Sequence, residues 1–306
     1  MGRIKGISLI EGSKKMKVYE KNELVILEGV TDFDPKHIFE CGQCFRWKSE
    51  DDGSYTGVAK GRVINVSREG ETIYLKNTNL NDFNSIWKEY FDLDTDYSEI
   101  KNKLRSMDKY LEKATEFGWG IRILRQDPWE MIISFIISSN NRIPMIQKAI
   151  ANLSREYGTY IGKYNGVDYY DFPTPEQLNK ASIEEIRSCS TGFRDKYIKS
   201  TTEEVINNHD DVYKYKNLST EDCIKELTKF NGIGPKVGDC IALFGMQKYD
   251  TFPVDVWVKR VMQEFYVDDD MSLPKIRKYA IDKFGDLSGF AQQYLFYYAR
   301  ELGIGR

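Results

Sequence analysis

The chain has 306 residues, 41% hydrophobic and 30% charged, an ordinary balance for a soluble chain with room for two or three domains. No run of about eighteen apolar residues occurs, so the sequence offers no candidate for a transmembrane helix. The net charge of −3 argues weakly against a protein whose affinity comes mainly from phosphates, although a local basic face would still act on a nearby polyanion.

The N-terminal "MGRIKGISLIEGSKK" has a basic start but only a short apolar piece, "GISLI", too little for a signal peptide. A second Met-Lys pair follows at Met16-Lys17, and residues 1–15 are read as a leader or an expression remnant. Five scattered cysteines make a poor disulfide framework and fit a reducing compartment, cytoplasmic or nuclear rather than secreted. Cys41 and Cys44, in "FECGQCFRW", form a C-x-x-C. A zinc reading lacks a second ligand pair, and a redox reading lacks a βαβ context. The plainer reading is two small, half-buried cysteines at a strand start.

Residues 23–78 read as β structure. "ELVILEG" is a short apolar run, and the strand-like segments that follow are separated by turn signals at Asp52-Gly53 and Glu69-Gly70. Phe45 and Trp47 alternate with Arg46, as in a strand with one buried face. From about residue 80 the pattern turns helical. Asp127-Pro128 opens a dense apolar helix, and Thr174-Pro175 supplies an N-cap and a first helical position.

The segment "LTKFNGIGPKVGDCIALFGMQKYDTFPVDVWVKRVM", residues 227–262, carries the chemistry. One helix finishes, Asn231-Gly232-Ile233-Gly234 turn tightly, and Pro235 starts the next. Its exposed N–H groups suit a nucleic-acid phosphate. Lys236 lies in the first turn, where the helix dipole and burial both favour the neutral amine that a nucleophile requires. Cys240 shares its helix face, and Asp255 follows in "FPVDV". Taken alone, such a lysine is usually solvated and such an aspartate is often only an N-cap.

Together, the hairpin, the lysine after it and the V-D-V connector resemble the helix–hairpin–helix DNA glycosylases. "GQCFRW", "ILRQDPWEMIISFIISSNNRI", "GFR", "GIGPKVGDC" and "GFAQQYLFYY" narrow the resemblance to the 8-oxoguanine DNA glycosylases, from residue 40 to near the C-terminus. The resemblance implies an α+β fold: an N-terminal twisted antiparallel β-sheet domain packed on a two-lobed all-helical body containing the helix–hairpin–helix. The expected domains are 16–112 for the β domain, 113–145 with 237–306 for one helical lobe, and 146–236 for the other.

It also implies roles. Lys236 attacks the anomeric carbon, and Asp255 offsets the positive charge on the sugar. The flipped base lies between Phe296 and Cys240, with Gln292 on its Watson–Crick edge and the Gly42 carbonyl at N7. Asn140 fills the gap in the duplex and Phe193, beside Arg194, wedges the kinked step. Gly232, Gly234 and Trp257 lie near phosphates. The position that reads the opposite base in better-known members falls on Met145, which implies relaxed discrimination. Trp257 replaces a histidine of those members. The chemistry requires no cofactor, although the family's hairpin often holds a structural cation through backbone carbonyls. The implied partner is duplex DNA containing 8-oxoguanine, met by a monomer with no membrane association.

Rival readings exist. Thymine-glycol and adenine-excising relatives often carry a four-cysteine iron–sulfur loop, but no cysteine follows Cys240 here. An alkylated-base glycosylase would not need Lys236. A non-catalytic DNA-binding module would leave Lys236, Asp255, Gln292 and Phe296 unexplained together.

Overall fold

The computed structural model describes residues 5–11 and 14–304, with side chains from Met16 onward. Residues 1–4 of the expected leader therefore lie outside the described residues, while 5–11 form a strand. Seven antiparallel strands make the N-terminal sheet: β1 (Lys5–Glu11), β2 (Lys14–Glu20), β3 (Leu24–Glu28), β4 (Trp47–Ser49), β5 (Tyr55–Ala59), β6 (Arg62–Glu69) and β7 (Thr72–Lys76). Their order is β1-β2-β3-β7-β6-β5-β4, two meanders joined where β3 pairs with β7. At that seam Val25 faces Leu75 and Leu27 faces Ile73, all four buried on one face as period-two alternation demands.

A short helix, α1 (Pro35–Phe39), precedes the C-x-x-C and is capped by Asp34, whose carboxylate accepts from the Lys36 and His37 amides. The expected strand at 45–47 starts only at Trp47. Phe45 instead joins the helical core against Phe135, while Trp47 stacks on Phe39 in the sheet's own core. A residue claimed by one core and its next-but-one neighbour claimed by the other cannot share a strand face.

The helical body comprises α2 (Tyr97–Met107), α3 (Lys109–Phe117), α4 (Pro128–Ser138), α5 (Ile143–Tyr157), α6 (Asp195–Asn207), α7 (Thr220–Leu227), α8 (Pro235–Met246), α9 (Val256–Phe265), α10 (Leu273–Phe284) and α11 (Ser288–Leu302). Asp127 caps α4 through the Glu130 amide, with Pro128 at its first position. Thr174 and Gln177 form a reciprocal capping box. Tyr97, Leu104 and Leu111, within the span 16–112 expected for the β domain, pack in the helical core. A two-stranded hairpin, β8 (Tyr160–Tyr164) with β9 (Val167–Tyr170), turns at Asn165-Gly166.

Candidate active site

Two glutamines bolt the Gly42 loop in place. Gln43 is fully buried; its Nε2 donates to the Ile38 and Arg122 carbonyls at 2.9 and 2.7 Å, and its Oε1 accepts from the Leu124 amide at 2.8 Å. Gln293, on α11, donates to the Cys41 carbonyl at 2.6 Å. Arg46, the arginine of "FRW", pairs with Glu130 at 3.4 Å and Asp171 at 3.7 Å, tying the sheet domain to α4 and to the segment after β9. Cys41 and Cys44 are buried rather than half-buried, and free. Burial pushes the Cys41 thiol up to about 11 and raises that of Cys44, so both are neutral thiols at physiological pH.

Gly42 has φ +85°, a conformation that favours glycine, and a Cβ there would meet Phe296 Cε1 at 3.3 Å. The Phe296 ring therefore lies against Gly42. A cavity of about 70 Å³ lies beside it, and its lining includes Gly42, Lys236, Cys240, Asp255, Gln292 and Phe296. All six residues expected to surround the base and perform the chemistry thus converge on one chamber. Phe135 and Phe244, stacked on each other 5.7 Å apart, supply part of its apolar wall. At 70 Å³ it falls well below the roughly 300 Å³ of even a small ligand pocket, too little for a purine in this form. Gln292 is 6% exposed and its Oε1 is buried with no hydrogen-bond partner. An orphaned acceptor aimed into a cavity costs stability unless a ligand satisfies it.

The hairpin connects α7 to α8. Gly232 has φ +87° and packs so closely on Tyr197 that a Cβ would meet its Cγ at 2.8 Å. Gly234 is exposed, and the space beside it is open. Because α8 begins at Pro235 with no side-chain cap, its first-turn amides lack a capping partner. Among the described residues no group of three or more His, Cys, Asp or Glu side chains converges on a metal site, so a cation at the hairpin would rest on backbone carbonyls.

Asp255 caps α9, accepting from the Val258 amide at 2.7 Å, and lines the cavity as well. The cap and the site are one residue. Lys236 reverses an expectation: its pKa is raised, not lowered. The Cys240 side chain, which also hydrogen-bonds it, and the Asp255 carboxylate outweigh the burial that pulls the other way. The Cys240 thiol is itself pushed up to about 11 by burial. Lys236 therefore keeps the cationic form of an ordinary lysine in the free protein.

On the outer face Asn140 is exposed at φ +49° and Phe193 is 58% exposed, so both expected DNA contacts are accessible. Arg194, expected to touch DNA, is instead buried. Its Nε and Nη2 donate to the Ser139 carbonyl at 2.9 and 2.6 Å, Nη2 also donates to the Asn140 carbonyl at 2.9 Å, and its guanidinium lies 4.3 Å over the Phe193 ring. It ties the Ser139-Asn140 segment to Phe193. Met145, in the first turn of α5, is 43% exposed. The Trp257 indole N–H, suggested for a phosphate, is buried and unpartnered. Sequence reasoning missed Gln43, Gln293 and the two cavity phenylalanines.

Comparison with known families agrees with this geometry. Residues 25–132 match the N-terminal domain of 8-oxoguanine DNA glycosylase, and residues 133–285 match the HhH-GPD superfamily of base excision DNA repair proteins. A probable N-glycosylase/DNA lyase of Methanothermobacter thermautotrophicus is 30% identical over 234 residues, covering 70% of this chain and 74% of that protein. The N-glycosylase/DNA lyase of Saccharomyces cerevisiae is 33% identical over 249 residues, covering 70% and 65%. The Clostridium acetobutylicum 8-oxoguanine glycosylase/lyase, solved with duplex DNA carrying cytosine opposite 8-oxoG, superposes with a TM-score of 0.91 at 50% identity, over 94% of this chain and 98% of that one. The two matched regions meet inside α4, the helix that carries Glu130 toward the sheet domain and Phe135 into the cavity. The chain belongs to the 8-oxoguanine DNA glycosylases of the helix–hairpin–helix superfamily.

Proposed function

We propose that this protein excises 8-oxoguanine from duplex DNA and nicks the strand through a Schiff base on Lys236. The observation that carries the assignment is the single chamber in which a lysine, a carboxylate, an orphaned amide oxygen and a glycine-walled slot converge.

The DNA backbone rests on the uncapped amides at the start of α8, while Asn140 and Phe193 occupy the space the lesion leaves. The base enters as Phe296 swings off Gly42. Guanine and 8-oxoguanine share a Watson–Crick edge, so Gln292 selects the purine but not the damage. Only 8-oxoguanine carries a hydrogen on N7. The Gly42 carbonyl, an acceptor only, welcomes that N–H and opposes the acceptor N7 of guanine.

The raised pKa of Lys236 suits the next step. As the glycosidic bond breaks, Asp255 stabilises the oxocarbenium-like sugar. The ammonium passes a proton to the departing base and becomes the amine that bonds to the anomeric carbon. Ring opening gives a protonated imine. Loss of a C2′ proton expels the 3′ phosphate, and water then releases the enzyme. Met145 offers no charged fork to the opposite base, so discrimination there is relaxed.

Single-turnover excision from an 8-oxoguanine duplex tests this reading with wild type, Lys236→Gln and Asp255→Asn. Both variants lose excision by about 100-fold or more, the usual scale for a group acting in the transition state. Wild-type rates in either variant would remove that residue from the mechanism.

A further inference from the structure

Asp255 sits at the end of a segment, residues 251–255, that belongs to no helix or strand. Side chains tie down both ends. At the far end Asp255 caps α9. At the near end the Thr251 hydroxyl donates to Asp239 Oδ1 at 2.6 Å. Asp239 lies on α8, three residues after Lys236 and one before Cys240, and is 1% exposed. Arg277 of α10 holds the same carboxylate in a fork, Nε to Oδ2 at 2.7 Å and Nη2 to Oδ1 at 2.8 Å. Thr251 is fully buried, so this bond forms away from water.

A buried carboxylate is an expensive way to join two segments, because its desolvation cancels much of the attraction. Apolar side chains of similar volume would pack as well. They would not fix direction, as two hydrogen-bonded oxygens do. The direction fixed here is between the helix bearing the nucleophile and the segment bearing the carboxylate that acts with it. From this geometry we infer that Asp239 is a positioning residue: through Thr251, and clamped by Arg277, it sets Asp255 opposite Lys236. The inference rests on the roles given above to Lys236 and Asp255.

The test uses the full-length protein and two substrates, an 8-oxoguanine duplex and the same duplex carrying a preformed abasic site. Excision needs the oxocarbenium-like state that Asp255 stabilises, whereas the abasic aldehyde already awaits the amine. Thr251→Val, which keeps shape but loses the donor, slows single-turnover excision by about 10- to 100-fold, the scale of a small misplacement. It slows abasic nicking by less than about threefold, and Thr251→Ser restores excision. In an Asp255→Asn background, Thr251→Val adds nothing, because its effect passes through Asp255. Asp239→Asn reproduces the Thr251→Val pattern. Equal loss on both substrates, an undiminished effect in the Asp255→Asn background, or wild-type excision by Thr251→Val overturns the inference. If Asp255→Asn alone excises normally, the reading of Asp255 fails and this inference with it. If Asp255→Asn is slow and Thr251→Val is not, only the inference fails.

Discussion

Gly42→Ala probes the lesion slot with a single methyl group. Two penalties follow from the structure. Gly42 has φ +85°, so an L-residue there costs roughly 1–2 kcal/mol in the left-handed region. Its Cβ would also lie 3.3 Å from Phe296 Cε1, so the ring must yield by a few tenths of an ångström. Against a total stability on the order of 5–15 kcal/mol the protein stays folded. The effect on the lesion is larger, because the methyl group points into the slot that a purine must occupy. Pushing the base off the Gly42 carbonyl forfeits its N7 hydrogen bond, worth about 1–3 kcal/mol with the burial it satisfies. The backbone strain is the same with and without the lesion and drops out of the rate, so the lost bond sets the loss, roughly 5- to 100-fold. Single-turnover kinetics on the 8-oxoguanine duplex should therefore fall by about that factor, while nicking of a preformed abasic site, which has no base to seat, stays near wild type. Excision within about threefold of wild type, or equal losses on both substrates, refutes the reasoning.

Other expectations follow from the same geometry. Wild-type excision varies modestly with the base opposite the lesion, and Met145→Arg sharpens the preference for cytosine by about 1–3 kcal/mol; strong discrimination by wild type would contradict the assignment. Phe193→Ala weakens lesion-duplex binding while costing only about 1 kcal/mol of stability, the share of its contact with Arg194, because the ring is 58% exposed; an unchanged affinity would show that it does not wedge. Burial, opposed by Arg46, raises the Glu130 carboxyl to about 7. A folded pKa above the unfolded value means that the native state binds the proton more tightly. The contribution of Glu130 is then greatest below about 4.5 and is lost as pH rises to about 7, on the order of 3 kcal/mol. Denaturant titrations across that window should show the slope in wild type and lose it in Glu130→Gln.

Much of this fold is legible in local signals. Asp127-Pro128, Thr174-Pro175 and Gly234-Pro235 start helices as caps and first-turn prolines do, and Gln292 and Phe296 meet on one helix face as their spacing requires. The β8–β9 hairpin carries its own signal, Asn165-Gly166 between tyrosine-rich runs. What local reading misses depends on neighbours distant in the chain. The upward shift of Lys236 comes from Cys240, one turn along the helix, and from Asp255, nineteen positions away. Arg194 looks like a surface cation until the Ser139 and Asn140 carbonyls arrive from another segment. Gln43 resembles a spacer between two cysteines, yet its partners lie near residue 123. The C-x-x-C points to sulfur chemistry only while Gly42, between the thiols, goes unread.

The most direct test of the mechanism is covalent capture. Incubating the protein with 8-oxoguanine duplex in borohydride reduces any imine to a stable amine, and peptide mapping locates the linkage. The account predicts one protein–DNA adduct, carried on Lys236 and absent from Lys236→Gln. No adduct from wild type, or an adduct on another residue, would contradict it.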